Sequence, residues 1–575
     1  MTSVDERPAA PALNDPGTPR LPRKRRPGTL VGSVIGLVLF AAVVAPIVAV
    51  LLHVVTVDGG VPGIIERTLS APTTFTALRN TVILGVTAGI VTTGIASGLA
   101  WLLYRTNLPG RGVMRTLVVV PFFIPVLVTS VSWTLLTGSN AGLINRLLRW
   151  IGIEQPVSVY NLPGMAFVLC LALVPIAFIF IRSAFAEPDA EQEEAAMVSG
   201  AGMARVTFGV TLPRILPSLG ATVLLVFVLG AGNFSVTGVL GIPYRVDTLS
   251  SEIFVAMNTV PADFGHVAAV AAILLILMSV LLFFQFRLER RSRTIETKSS
   301  GKTAVTWDLG AWRWPAFALV ALYLFVVVVL PITAIVLASI LPYWGAPLGG
   351  LTFDNVSRLF AEGGTFQQSI YNTVQFAAIG ATVTVAIGLV AAYVFRRLRP
   401  PGARIFDAVS TSSFALPGIV VGLGYLWISV QTPLYATLTI MIVVVTVQLL
   451  PIALRLVSAG LTRANVALDE AGRVSGAREW QVFWDIVRPQ LGRALASGWI
   501  LLFLIFTHEV DALVLIYGPT NSVLATEIYG QYSNGHQELA GSAALILLAL
   551  TAVVLGILGL VARLASHRRS LGDLL

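Results

Sequence analysis

Runs of about 20 or more residues without a charged side chain recur along the whole chain, and one such run suffices to cross roughly 30 Å of hydrocarbon at about 1.5 Å per residue. With 56% hydrophobic and only 12% charged residues among 575, and a mean hydropathy of +0.83, the chain lies outside the range of soluble globular proteins. It reads as an all-α polytopic membrane protein. The single cysteine, Cys170, sits in an apolar run, rules out an internal disulfide and reads as packing. A net charge of +9 raises nucleic acid or anionic lipid as partners, and the placement of the charges decides for the lipid bilayer, with no nucleic acid.

The first six spans are expected at Leu30 to Val57, Thr81 to Tyr104, Thr116 to about Thr137, Pro163 to Ile181, Ser218 to Leu240 and His266 to Phe286. The second six are expected at Trp314 to Ile340, Ser369 to Phe395, two within Ala408 to Leu454 divided at Gln431-Thr432-Pro433, Ala494 to Tyr517 and Gly541 to Ala562. Twelve crossings place both termini on the cytoplasmic side. Only Arg67, Arg79, Arg146, Arg149, Arg245 and Arg358 of the 38 Lys and Arg then fall outside, as the positive-inside rule requires. Residues 1–28 are Pro/Ala-rich, end in Arg20, Arg23, Lys24, Arg25 and Arg26, and read as a disordered cytoplasmic tail without a cleavable signal.

The expected organisation is a first half over 29–286, a polar linker over 287–312, a second half over 313–565 and a cytoplasmic tail over 566–575. The linker carries Gly301-Lys302-Thr303, the end of a phosphate-loop pattern. Glu296 stands where the first glycine is required and no strand precedes it, so the chain has no visible nucleotide site. No catalytic constellation, metal site or cofactor is expected.

An internal repeat is the most informative pattern. Glu194-Ala195-Ala196, Gly200 and Leu212-Pro213 in loop 187–217 recur as Glu470-Ala471-Gly472, Gly476 and Arg488-Pro489 in loop 459–493, each 276 residues later. Val174-Pro175-Ile176-Ala177 maps at the same offset to Leu450-Pro451-Ile452-Ala453, and Pro243 maps to Pro519. Each loop reads as a short helix, a turn at glycine and a second short helix that proline ends before the next span. The acid supplies a fixed charge at the helix face or cap. Small residues allow close approach of another protein, and two equivalent surfaces imply a partner present twice.

The loops resemble the EAA loop of binding-protein-dependent ATP-binding-cassette importer permeases, the MetI-like family. The pattern is complete in the first loop, while Gly472 and Arg488 depart from it in the second. The resemblance implies two tandem six-helix halves, two copies of a separate ATPase docked through Glu194, Ala195, Ala196, Gly200, Pro213, Glu470, Ala471, Gly476 and Pro489, and an extracytoplasmic solute-binding protein. It places the chain in a bacterial cell membrane. Fused two-half members resemble ferric iron permeases, then those for thiamine, phosphonate or polyamine.

Asn233 and Glu509 occupy one position 276 apart, with His508 and Asp511 beside the latter, and these four are the candidate translocation-path residues. On a regular helix His508 and Asp511 would pair and Glu509 would face the path. Intramembrane acids are costly enough that they should face the bundle interior; all three could instead be helix-to-helix glue. Glu252-Ile253-Phe254 and Glu527-Ile528-Tyr529, 275 apart, are expected as outer segments able to receive the binding protein. A secondary transporter relaying protons through these carboxylates is the alternative. The duplicated cytoplasmic loop favours the importer permease.

Overall fold

The computed structural model describes residues 28–56, 63, 66, 68, 71–186, 190–296, 306–347, 350–361, 365–398, 401–412 and 416–572. The expected N-terminal tail, apart from its last residue, and the Gly301-Lys302-Thr303 segment lie outside them. Among the described residues the chain is helical, its only β pairing an isolated bridge between Thr106 and Trp307. A span in hydrocarbon must satisfy its own backbone, and helices do so within one segment.

The first half comprises α1 (Gly28–Thr56), α2 (Pro72–Arg105), α3 (Arg111–Phe123), α4 (Val126–Thr137), α5 (Leu143–Trp150), α6 (Leu162–Ala186), α7 (Ala190–Val198), α8 (Met203–Ala231), α9 (Phe234–Tyr244), α10 (Leu249–Asn258) and α11 (Phe264–Glu296). The second comprises α12 (Gly310–Ile340), α13 (Asp354–Ala361), α14 (Thr365–Arg396), α15 (Ala403–Ser412), α16 (Gly418–Ser429), α17 (Leu438–Arg463), α18 (Val466–Val474), α19 (Val482–Gln490), α20 (Gly492–His508), α21 (Leu524–Ser533) and α22 (Gln537–Gly572).

Among the described residues nine helices are long and apolar enough to cross a membrane, or up to 11 spans if each of two sharply bent pairs counts as one. The third expected span is such a pair, since α3 and α4 meet at 91°. Ile124, extended at φ −92° and ψ 120°, precedes Pro125, and a residue before proline is driven out of the α region. Pro125 recurs 292 residues later as Pro417, which likewise caps α16. Asn80-Thr81-Val82 recurs at the same offset as Asn372-Thr373-Val374. The offset then falls to 276 because the first half has a longer connection there, including the amphipathic α5.

Proline does not end both loop helices as expected. α8 runs unbroken through Pro213 to Ala231, whereas α19 ends just beyond Pro489 and bends by 69° into α20. Both prolines follow a π-helical segment, Thr207–Thr211 or Val482–Val487, and Pro331 follows another at Phe325–Val329. A wider π-turn shifts the hydrogen-bond register, which accommodates a residue with no N–H to donate.

Within the halves α2 packs on α6 and α8, and α14 on α17 and α20. The first span of each half crosses to the other. Thus α1 lies on α16, where the Tyr425 hydroxyl donates to the Ala42 carbonyl at 2.7 Å, and α12 lies on α4. A Cβ at Gly424 would sit 2.4 Å from the Pro46 carbonyl oxygen, so the approach of α1 requires glycine there.

Candidate functional site: paired loops and a central break

The two candidate docking helices, α7 and α18, are nine residues each. Both end in the same turn. Gly200 takes φ +83°, its N–H donates to the Met197 carbonyl, and Ala201 donates to Ala196 at 3.0 Å. Gly476 takes φ +86°, donates to Arg473, and Ala477 donates to Gly472 at 3.0 Å. This double closure satisfies the last carbonyls and demands a left-handed residue, which glycine supplies without a Cβ penalty. Ser199 and Ser475 repeat the match, each donating back to the alanine four residues earlier, at 2.8 and 2.9 Å.

Glu194, Ala195, Glu470 and Ala471 are exposed, as are Pro213 and Pro489. Val198 and Val474, equivalent at offset 276, are each 90% exposed. The two departures in the second loop have local causes. A Cβ at Gly472 would lie 2.5 Å from Ile486 Cδ1, and the first loop holds Ala196 and Val210 at these positions, so the second has moved one side chain's bulk across the contact. Arg488 places its guanidinium 5.0 Å from the centroid of the Trp484 ring, an arrangement unavailable to leucine.

Beneath the exposed faces lies a feature that the motif did not point to. Arg105, the last residue of α2, pairs with Glu193 of α7. The Thr211 hydroxyl donates to Glu193 Oε1 at 2.6 Å and accepts from Arg105 at 3.3 Å. All three are at most 3% exposed. Removing one partner of such a pair leaves a buried charge and costs about 3–5 kcal/mol. The sequence signal was available: Glu193 precedes the motif by one residue and maps to Asp469 at offset 276.

The expected fifth and eleventh spans break at the polar position. α8 ends at Ala231 and α20 at His508, with Asn233 and Glu509 both extended, at ψ 120° and 126°. Each caps the turn just beyond it. Asn233 Oδ1 accepts from the Val236 N–H at 2.8 Å, and Glu509 Oε1 accepts from the Ala512 N–H at 3.0 Å, the same bond 276 residues apart. A carboxylate or amide oxygen three residues before a bare N–H is a helix cap, so this position is polar in both halves for a backbone reason.

The expected His508/Asp511 pair does not form, because the helix that would align them ends between them. His508 Nε2 lies 3.2 Å from Thr551 Oγ1. Asp511 instead spans the two halves: it accepts from the Phe234 and Ser235 N–H groups at 3.1 and 2.9 Å, from the Ser235 hydroxyl at 2.6 Å and from the Asn233 amide at 3.3 Å. Ser235 and Asp511 are themselves 276 apart, so equivalent segments meet at the pseudo-twofold axis. Pro417 and Gly418 close the same point, with a Cβ at Gly418 falling 2.9 Å from the Ala512 nitrogen.

Beyond the break, on the side away from α7 and α18, α10 and α21 are each buried along one face, and the end of α10 at Val255 and Asn258 is exposed. Glu252 is 7% exposed, accepts from Thr74 Oγ1 at 2.7 Å and lies 3.0 Å from His266 Nε2. Asn80 and Asn372 tie these segments down, donating to the carbonyls of Asp247 and Ser522, each at 2.9 Å. Phe234 and Phe254 pack on Tyr529 with centroids 5.3 and 5.7 Å away, and the Tyr532 hydroxyl donates to the Val239 carbonyl. Burial of Glu252 anchors the first of these segments, whereas Glu527 in the second is half-buried and accepts from the Gln531 amide at 2.8 Å. Among the described residues no group of three or more His, Cys, Asp or Glu could hold a metal.

The family model for the binding-protein-dependent transport system inner membrane component matches twice, at residues 85–294 and 384–569. The ferric transport system permease protein FbpB of Actinobacillus pleuropneumoniae is 26% identical over 550 residues, 92% of this chain and 77% of that protein. A putative ferric transport system permease protein of Haemophilus influenzae is 27% identical, over 84% of this chain and 76% of its own length. The sulfate transport system permease protein CysW of Escherichia coli is 28% identical over 40% of this chain and 78% of its own, the size relation of a single half to a fused pair. Two family domains in tandem on an all-helical, multi-pass scaffold make this chain a permease of the ATP-binding-cassette importers, an inner membrane component of a binding-protein-dependent transport system with both halves in one polypeptide.

Proposed function

We propose that the chain forms the translocation path for ferric iron, delivered by a solute-binding protein and driven by two copies of an ATPase subunit, one on each of α7 and α18. The observation that carries this reading is the pair of docking helices, alike in length, cap geometry and the exposure of Val198 and Val474. Glu194, Ala195, Ala196, Gly200 and Pro213 form one docking surface and Glu470, Ala471, Gly476 and Pro489 the other. Both termini lie on the ATPase side, and the proposed domain bounds are 29–286 and 313–565. The substrate follows the ferric permeases to which nearly the whole chain is similar.

Asn233, Glu509, His508 and Asp511 line or brace the path. With the Asp511 clamp made and the Phe234, Phe254 and Tyr529 rings packed together, the halves are closed beyond the break; opening that side requires both contacts to part. Proteoliposomes holding the chain, its ATPase and its ferric-loaded binding protein should accumulate iron only with ATP. Val198→Glu and Val474→Glu should each reduce captured ATPase. Iron uptake driven by a proton gradient without ATP would sink the importer reading, and undiminished capture by both variants would sink the docking surfaces.

A further inference from the structure

We infer that Glu193 and Arg105, bridged by Thr211, are the positioning residues that convert movement of the first docking helix into movement of the spans, and that Asp469 holds the corresponding place in the second half. The inference rests on the docking reading above. Its ground is what the docking helices bury. Of the described side chains of α7, Glu193 alone is buried; of those of α18, Asp469 alone, at 2% exposure and 276 residues on. Each helix otherwise presents exposed or half-buried groups, so the acid is its one fully buried anchor among shallower contacts such as Gly472 on Ile486 and Gln192 on Arg214.

Glu193 reaches into the core of the first half. Arg105 closes α2, which packs along both α6 and α8, and Thr211 stands where the π-helical segment of α8 passes into its main helix. A push on the exposed face of α7 therefore arrives at one buried point shared by α2, α7 and α8. The linker joins at the same place, since the Trp307 N–H donates to the Arg105 carbonyl at 2.8 Å and Asn107 donates to the Trp307 carbonyl at 3.1 Å. An apolar seat could slide past its neighbours. A buried ion pair holds one register, because separating it leaves an uncompensated charge away from water. The exposed Glu194 and Glu470 face outward on the same helices, so seating and docking are divided between adjacent acids.

The test uses the complete transporter in proteoliposomes and reads two quantities: ATPase captured per permease, and stimulation of ATP hydrolysis by ferric-loaded binding protein. Glu193→Gln, which keeps shape and removes charge, should still capture ATPase and lose at least about fivefold in stimulation, the lower end of typical coupling between sites. Asp469→Asn should do the same. The exchanged pair, Arg105→Glu with Glu193→Arg, should recover stimulation over either single change, which a merely structural role does not require. Wild-type stimulation in Glu193→Gln, or an exchanged pair no better than the singles, overturns the inference. If Glu193→Gln does not reach the membrane, Thr211→Val decides by the same readout: lost stimulation supports the inference and wild-type stimulation overturns it. Failure of the docking reading registers separately, as undiminished capture in Val198→Glu.

Discussion

Glu509 performs two separable tasks, one through its oxygen and one through its charge. The oxygen caps the break by accepting from the Ala512 N–H, and Asn233 does the same with a neutral amide in the other half. Glu509→Gln retains an acceptor at that point, whereas Glu509→Ala leaves the N–H bare. The alanine variant should lose about 1 kcal/mol of stability, as a missing cap does, and the glutamine variant little, measured as thermal midpoints in detergent. Equal midpoints for glutamine and alanine would remove the cap as the reason for this residue. Iron uptake by the glutamine variant then reports on the charge alone. The polar position was legible in the sequence because it recurs at the repeat offset. The broken helix was not, because Asn and Glu carry no local stop signal comparable to proline, and the partner of Asp511 lies in the other half.

Between elements, the repeat is a record of compensated change. Ala196 and Val210 in the first loop become Gly472 and Ile486 in the second, where a methyl at 472 would fall 2.5 Å from Ile486 Cδ1. Gly472→Ala alone should push the Ile486 terminal methyl off its rotamer, costing about 0.5–1.5 kcal/mol, and Ile486→Val added to it should return most of that by removing that methyl. A double-mutant cycle on thermal midpoints measures the coupling, and additive effects would refute the contact. Motif spacing thus placed a short helix and a glycine turn in each loop. It could not explain their departures, since a motif lists residues on one segment and the reason for Gly472 sits fourteen positions away on the next helix. Similarly, Pro213 and Pro489 occupy one position at the repeat offset, yet only the second is followed closely by a bend. The π-segments that accommodate both prolines have no sequence signature in an apolar run.

At the scale of the molecule, apolar windows marked twelve expected spans, of which nine to 11 are long and apolar enough among the described residues, and the offset marked two halves, but neither could state which half a span packs on. Lipid-facing and partner-facing sides are both apolar in membrane helices, so hydropathy carries little information about neighbours. The crossed packing of α1 on α16 and α12 on α4 emerges only in three dimensions, and it changes what the covalent linker is for. The halves are joined by the crossed spans, by the Tyr425 to Ala42 bond, by the four hydrogen bonds on Asp511 and by the Phe254 and Tyr529 rings. The end of the linker adds its own hold: Asn107 and Leu309 bond at 3.0 Å, and the Gly310 N–H and Asn107 amide keep the Asp308 carboxyl below its usual range. A group with a lowered pKa favours the docked state above its ordinary value and ceases to as pH falls through the lowered one, so this hold is intact at neutral pH. Cutting the chain between residues 297 and 305 leaves every one of these contacts in place, with Trp307 to Gly310 retained on the second half. The two fragments, expressed together, should therefore co-purify in equal amounts and keep binding-protein-stimulated ATP hydrolysis. Fragments that purify apart would mean that the polypeptide connection, and not the crossed packing, holds the halves together.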